Sequence, residues 1–146
     1  MTRHMFALLL LLLAFGTDAP ANAQGTEWDT LNKEVMSLYR QGHYDRAIVV
    51  AKKALQVAEQ AVSPNHTNVA GSLNNLAALY RTQGQYARAE PLYQRSLAIW
   101  EKALGPKHPD VATSLENMAV LYRKTDREKA AEGLEKRAAA IRAIKR

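Results

Sequence analysis

The sequence predicts an all-α chain, folded as an α-solenoid of about three stacked helical hairpins. Three observations carry that expectation. The first is an internal period of 42 residues, kept by Leu31, Leu73 and Leu115, by Leu38, Tyr80 and Tyr122, and by Ala47, Ala89 and Ala131. The second is apolar spacing of i, i+3, i+4, i+7 inside each period, which belongs to a helix and not to a strand. The third is that turn residues recur with the same period: Gly42 and Gly84, Glu59 and Glu101, Pro64 and Pro106, His66 and His108, Val69 and Val111, Ala70 and Ala112. A fixed period of this size marks a stacked repeat and directs the search for function to a surface rather than to one enclosed pocket.

Residues 1–23 read as an export signal. Arg3 provides a positive start beside His4, Met5 to Phe15 is an uninterrupted apolar run, and Ala21-Asn22-Ala23 is an A-x-A cleavage pattern. As a helix that run reaches only about 16 Å, against roughly 30 Å of bilayer hydrocarbon, so a retained anchor is the weaker reading. The chain has no Cys, which excludes lipoprotein processing, disulfides and thiolate chemistry. Cleavage after Ala23 leaves residues 24–146 as one repeat domain, with repeats at about 28–66, 67–108 and 109–146. Such a signal fits a bacterial periplasm or the exterior, and a small uncrosslinked array is better protected in the periplasm.

Helices are expected at roughly 28–41, 44–61, 67–82, 86–103, 109–124 and 127–144. Leu73, Leu76, Ala77 and Tyr80 mark one face of the third; Ala89, Leu92, Tyr93, Ser96, Leu97 and Trp100 mark one face of the fourth. Gly42 and Gly84 let the backbone reverse within a hairpin, and Asp126 takes that place less readily. Ser63-Pro64-Asn65-His66-Thr67 and Gly105-Pro106-Lys107-His108-Pro109 connect the hairpins. Pro109 suits the first position of a helix, and Thr67 suits a cap in the other copy. Pro91 falls near the first turn of its helix, where a slight bend rather than a break is expected. Small residues recur where paired helices must approach: Ala47, Ala89, Ala131, then Ala54, Ser96, Ala138. The third copy replaces Tyr93 with Glu135 and Trp100 with Arg142, which fits a terminal repeat with no successor to cover it.

At two stretches the pattern becomes specific. Leu73-Asn74-Asn75-Leu76-Ala77-Ala78-Leu79-Tyr80, followed by Gly84-Gln85-Tyr86-Ala87-Arg88-Ala89-Glu90-Pro91-Leu92-Tyr93, resembles a tetratricopeptide repeat. The 42-residue period and the connector Leu104-Gly105-Pro106-Lys107-His108-Pro109-Asp110-Val111-Ala112 resemble the kinesin light chain subclass. The resemblance covers about residues 28–146 and is loosest in the first helix, where Leu38 rather than Tyr39 aligns with Tyr80. It implies a right-handed α-solenoid whose concave wall, lined by the first helix of each pair, binds an extended partner peptide. Catalysis and cofactors are not implied.

The family's peptide-contacting Asn positions correspond here to Asn74, Asn75 and Asn117, with Lys33 in the first copy of the Asn75 position. An Asn amide both donates to and accepts from a peptide backbone. A hydrogen bond between neighbouring helices would explain the same residues. Arg81 and Arg123 recur at one period, with Arg40 nearly in register and Lys124 adjacent. A row of guanidinium groups favours an acidic peptide, a carboxylate or a phosphate; cations that merely offset helix dipoles are the alternative.

The net charge is +6, and residues 121–146 hold nine basic and four acidic side chains. That basic end could touch an anionic envelope surface or an acidic protein. A nucleic acid is not expected, because an export signal is present and no nucleic-acid motif accompanies the charge. His43, His66 and His108 lie in turns without metal-ligand spacing, so neither a metal site nor an enzyme is expected. Two functions remain: an exported, non-enzymatic module binding a partner peptide, or a structural part that self-associates or stacks on another repeat protein.

Overall fold

In a computed structural model, residues 21–61 and 66–144 are described, with side chains from Gly25 onward. Six helices follow in order: α1 Ala21–Arg40, α2 Tyr44–Ala61, α3 Thr67–Thr82, α4 Tyr86–Leu104, α5 Pro109–Lys124 and α6 Glu128–Arg142. The described residues contain no strand. The predicted export run before Ala21 and the Ser63-Pro64-Asn65 turn lie outside the described residues.

Helices pair as α1 with α2, α3 with α4 and α5 with α6, and the hairpins stack through α2 on α3 and α4 on α5. The chain is thus an α-solenoid of three helical hairpins. Every turn within a hairpin closes the same way. His43, Gln85 and Arg127 donate their backbone N–H to Leu38, Tyr80 and Tyr122, at 2.9, 2.8 and 2.9 Å. Gly42, Gly84 and Asp126 donate to Tyr39, Arg81 and Arg123. This is a Schellman closure, which needs a left-handed residue, and φ is 76°, 73° and 57° at those three positions. Asp126 therefore does the work of glycine in the third copy.

The connectors correct one expectation. Thr67 does not cap α3; it is the first helical residue. His66 caps instead, its Nδ1 accepting from the Asn68 N–H at 3.1 Å, and His108 does the same for Asp110 at 3.2 Å. Pro109 opens α5 as expected. A second difference is at α1, which begins at Ala21 instead of about residue 28. Its opening residues include helix-favouring Ala and Gln, whose propensity extends the helix ahead of the periodic apolar pattern. Pro91 lies inside α4 without breaking it.

Packing follows the period. Ala47, Ala89 and Ala131 are fully buried, and Ala54, Ser96 and Ala138 nearly so. Ser96 meets its polar need by donating Oγ to the Ala70 carbonyl at 2.8 Å. A central cluster joins Val35, Leu38, Leu76, Leu79, Tyr80, Tyr93, Met118 and Leu121 across all three hairpins. Fully burying one such side chain contributes roughly 1.5–3 kcal/mol. On the second-helix layer, Arg95 bonds Glu59 at 2.7 Å and Arg137 bonds Glu101, the same pair one period apart.

Candidate functional site

The first helices, α1, α3 and α5, form one layer, and short polar links fix their spacing. Between α1 and α3, Trp28 Nε1 donates to Ser72 Oγ at 2.7 Å and Asn75 Nδ2 donates to Asn32 Oδ1 at 3.2 Å. The Tyr39 and Thr82 hydroxyls stand 3.5 Å apart. Between α3 and α5, Asn117 Nδ2 donates to Asn74 Oδ1 at 3.1 Å, and Arg81 Nη1 to the Asn117 carbonyl at 3.5 Å. The helix-to-helix hydrogen bond considered for these asparagines is therefore present at both junctions. Asn75 and Asn117 each use one amide hydrogen in it. Among the described residues their Oδ1 atoms have no partner, which leaves an acceptor for a ligand N–H.

A hollow of about 170 Å³ lies between α1 and α3, lined by Val35, Met36, Tyr39, Asn75, Ala78 and Leu79. Its lining is apolar except for the Asn75 amide and the Tyr39 hydroxyl. Met36 is 47 % exposed, and Val120, two periods on, is 43 % exposed. Met36, Ala78 and Val120 form an apolar line that sequence reasoning missed. Its signal was apolar side chains in register with one another but out of phase with the core stripe.

The predicted cations separate into distinct environments. Arg123 donates Nε and Nη2 to the two carboxylate oxygens of Glu135 at 2.9 and 2.6 Å, and also pairs with Glu128. Those hydrogen bonds hold the Glu135 carboxyl below its ordinary pKa. Arg81 has no acidic partner among the described residues. Its guanidinium lies 5.9 Å from the centroid of the Tyr93 ring. Arg40 and Lys124 are exposed. By the period they match Thr82, whereas Tyr39 matches Arg81 and Arg123.

The end of the array is closed by charge. Arg142, standing where the preceding repeat has Trp100, donates to Glu116 at 3.2 and 3.1 Å and to Thr113 at 2.9 Å. Arg127 donates Nη1 and Nη2 to the two carboxylate oxygens of Glu90 on α4, both at 2.8 Å, and its guanidinium lies 3.9 Å from the Tyr122 ring centroid. No group of three or more His, Cys, Asp or Glu side chains among the described residues could hold a metal. No described helix is long and apolar enough to cross a membrane.

The tetratricopeptide repeat model matches residues 29–99 and 68–143, which together cover most of the sequence. The chain belongs to the tetratricopeptide repeat family. Tetratricopeptide domains are typically protein–protein interaction modules and are generally not catalytic. Among solved structures, the chain is similar to BtubC (BKLC) from P. vanneervenii, with 26 % identity and a TM-score of 0.74 over 79 % of this chain and 45 % of that one. This chain thus spans under half of BtubC. The tetratricopeptide domain of Arabidopsis FLU matches with 20 % identity and a TM-score of 0.70, over 80 % of this chain and 95 % of that one. A putative kinesin light chain from Podosopora anserina gives 20 % identity and 0.70, over 84 % and 56 %. The last two likenesses concern the fold. No curated protein matches the sequence.

Proposed function

We propose that this tetratricopeptide protein is an exported, non-catalytic adaptor that holds an extended segment of a partner protein along its first-helix layer. The hollow between α1 and α3 carries this reading. There an apolar recess sits beside an amide whose acceptor oxygen is open, so one side chain of a peptide can be buried while its backbone is held. Asn117 repeats the backbone contact one hairpin on, and Arg81 supplies a cation nearby. Arg40 and Lys124, exposed at the C-terminal ends of α1 and α5, add long-range attraction for an acidic segment. A peptide bound at about 1 µM would correspond to roughly 8 kcal/mol.

Export is part of the proposal. The positive start, apolar run and A-x-A pattern of residues 1–23 support it, with the periplasm as the destination. The 42-residue period and the Gly105-Pro106-Lys107-His108-Pro109 connector support a kinesin light chain-like subclass.

The test is site-specific photo-crosslinking in the native envelope, with the reactive group at Ala78 in the hollow or at Lys52 on the exposed side of α2. A partner captured at Ala78 and not at Lys52 is expected. A synthetic peptide of the crosslinked segment should then lose about tenfold in affinity when Asn75 and Asn117 are both changed to Ala. Identical captures at both positions, or an unchanged peptide affinity, would remove the assignment.

A further inference from the structure

We propose that the edge formed by the α4–α5 connector and the end of α6 is a second interaction surface, and that it docks the molecule on an anionic lipid surface. It lies outside the first-helix layer and does not depend on the peptide-binding reading. Its residues come from two places in the sequence. Pro106 and Lys107 of the connector join Arg137, Ala140 and Ile141 of α6, and Ile144 just beyond it, around a hollow of about 260 Å³. The walls are apolar apart from the charged heads of Lys107 and Arg137. A second hollow, of about 230 Å³, continues the surface from Ile141 and Ile144 to Pro109 and Arg142. On the other side, Leu104 borders the connector beside Pro106 and Lys107. Five large apolar side chains stand exposed among the described residues, and two of them, Leu104 and Ile144, belong to this one edge.

Charge decides what covers it. Residues 136–146 contain Lys136, Arg137, Arg142, Lys145 and Arg146 and no acid. Lys136 is one helical turn before Ala140 on α6, and Lys102 holds in the second repeat the place that Ile144 holds in the third. The acids at this edge are Glu101, Glu116 and Asp110. Arg137 takes up Glu101, Arg142 takes up Glu116, and Asp110 lies beside His108. Five described cations, Lys102, Lys107, Lys136, Arg137 and Arg142, thus stand against three acids, and the sequence continues with Lys145 and Arg146.

Two projecting apolar side chains are too few for the buried centre of a stable protein interface. They suit shallow insertion at the level of the lipid headgroups, where a weak apolar anchor and a basic patch bind together and neither suffices alone. The lysine stems can lie along the apolar surface while their ammonium groups meet the phosphates. Ala139, Ala140 and Ala143, small and exposed between the cations, leave room for the headgroups to come close. The hollow between α1 and α3 shares no residue with this edge, so a docked molecule keeps its peptide-binding layer open.

The experiment uses residues 24–146, the form left by cleavage after Ala23. It keeps every described side chain and lacks the apolar run that would itself enter lipid. The probes are vesicles of phosphatidylcholine alone and of phosphatidylcholine with about one-third phosphatidylglycerol, and binding is read by co-sedimentation. The anionic vesicles are expected to bind at least about tenfold better, with the difference shrinking as salt rises. Leu104→Ser with Ile144→Ser should weaken that binding about tenfold, and Lys102→Gln with Lys136→Gln about threefold to tenfold. Val49→Ser removes the most exposed of the five apolar side chains, at 68 %, from α2 and should change nothing. A gain of signal complements these losses: tryptophan emission of Ile144→Trp should shift to the blue on anionic vesicles and be quenched by brominated lipid, and that of Val49→Trp should not. Equal binding to both vesicles, undiminished binding of the Leu104 and Ile144 double variant, or equal quenching at position 49 would overturn the proposal and leave the peptide-binding reading untouched.

Discussion

Tyr93 carries an unusual burden for a core residue. Burial pushes its phenol from the ordinary 10.0 up to about 12, with the Arg81 charge opposing that rise. Below pH 10 the tyrosine holds its proton in both the folded and the unfolded state, and stability is at its full value. As pH climbs toward 12 the unfolded tyrosine ionises while the buried one resists, and folding loses on the order of 2–3 kcal/mol. In Tyr93→Phe, stability should stay flat across that alkaline window, as seen in urea titrations at several pH values. At neutral pH the variant should be as stable as the parent or more so, because a buried hydroxyl without a partner among the described residues is removed. At this same scale the sequence was a partial guide to the site. Asn75 and Asn117 were legible because Asn is a mediocre helix residue that recurred. Their pairing with Asn32 and Asn74 was legible only as an alternative, since a one-residue offset across two helices is set by the crossing of those helices. The neutralisation of Arg123 by Glu135 was hidden for a different reason. Both residues were visible, but the loss of Tyr at 135 read as a loss of bulk rather than as a gain of a partner.

Among the elements, the turns and close crossings were the most legible, because they rest on backbone rules. Gly42, Gly84 and Asp126 adopt the left-handed geometry expected of them. The cap was misplaced by one residue, since Thr is a commoner cap than His and nothing in composition says which side chain aims at the helix start. Alanine at Gly84 would be forced into φ near 73°, and Gly84→Ala should destabilise by about 1 kcal/mol. Gly133 gives the opposite result. It sits in α6, a Cβ there meets nothing within 4 Å, and Gly133→Ala should stabilise by about 1 kcal/mol. Thermal melts of the two variants, compared with the parent, check both signs. Ala89 tests the packing: it is fully buried where α4 meets its partner helix, and Ala89→Leu should cost about 1–3 kcal/mol through overpacking. A neutral result in chemical denaturation would mean that the helices cross elsewhere.

For the molecule as a whole, the period foretold three hairpins and the closed ends decide how they behave together. At the α1 end, the positions that α3 uses against its predecessor, Val69, Ser72 and Leu79, become Glu27, Thr30 and Ser37. At the α6 end, Tyr93 and Trp100 become Glu135 and Arg142, each held in an ion pair. Among the described residues, neither end repeats the apolar face of the internal junctions at these positions, and the protein should sediment as a monomer at tens of micromolar. Restoring the internal residues, Glu135→Tyr with Arg142→Trp, should expose such a face and produce concentration-dependent association. Acid should loosen the stack between the second and third hairpins first. The Glu90 carboxyl is held below its ordinary pKa chiefly by its hydrogen bonds from Arg127. That support is present above the ordinary carboxylate range and is lost as pH falls through the depressed value. Hydrogen exchange at low pH should therefore rise in α5 and α6 before α1 and α2. The ionic closure of the last hairpin also bears on ancestry. Copying the middle hairpin in tandem would lengthen the array with complementary surfaces on both sides, whereas copying the last would set charged pairs against an apolar helix. Descendants of this gene can gain length by internal insertion, and terminal growth would first require unmaking the lattice of Arg123, Glu135, Glu116 and Arg142.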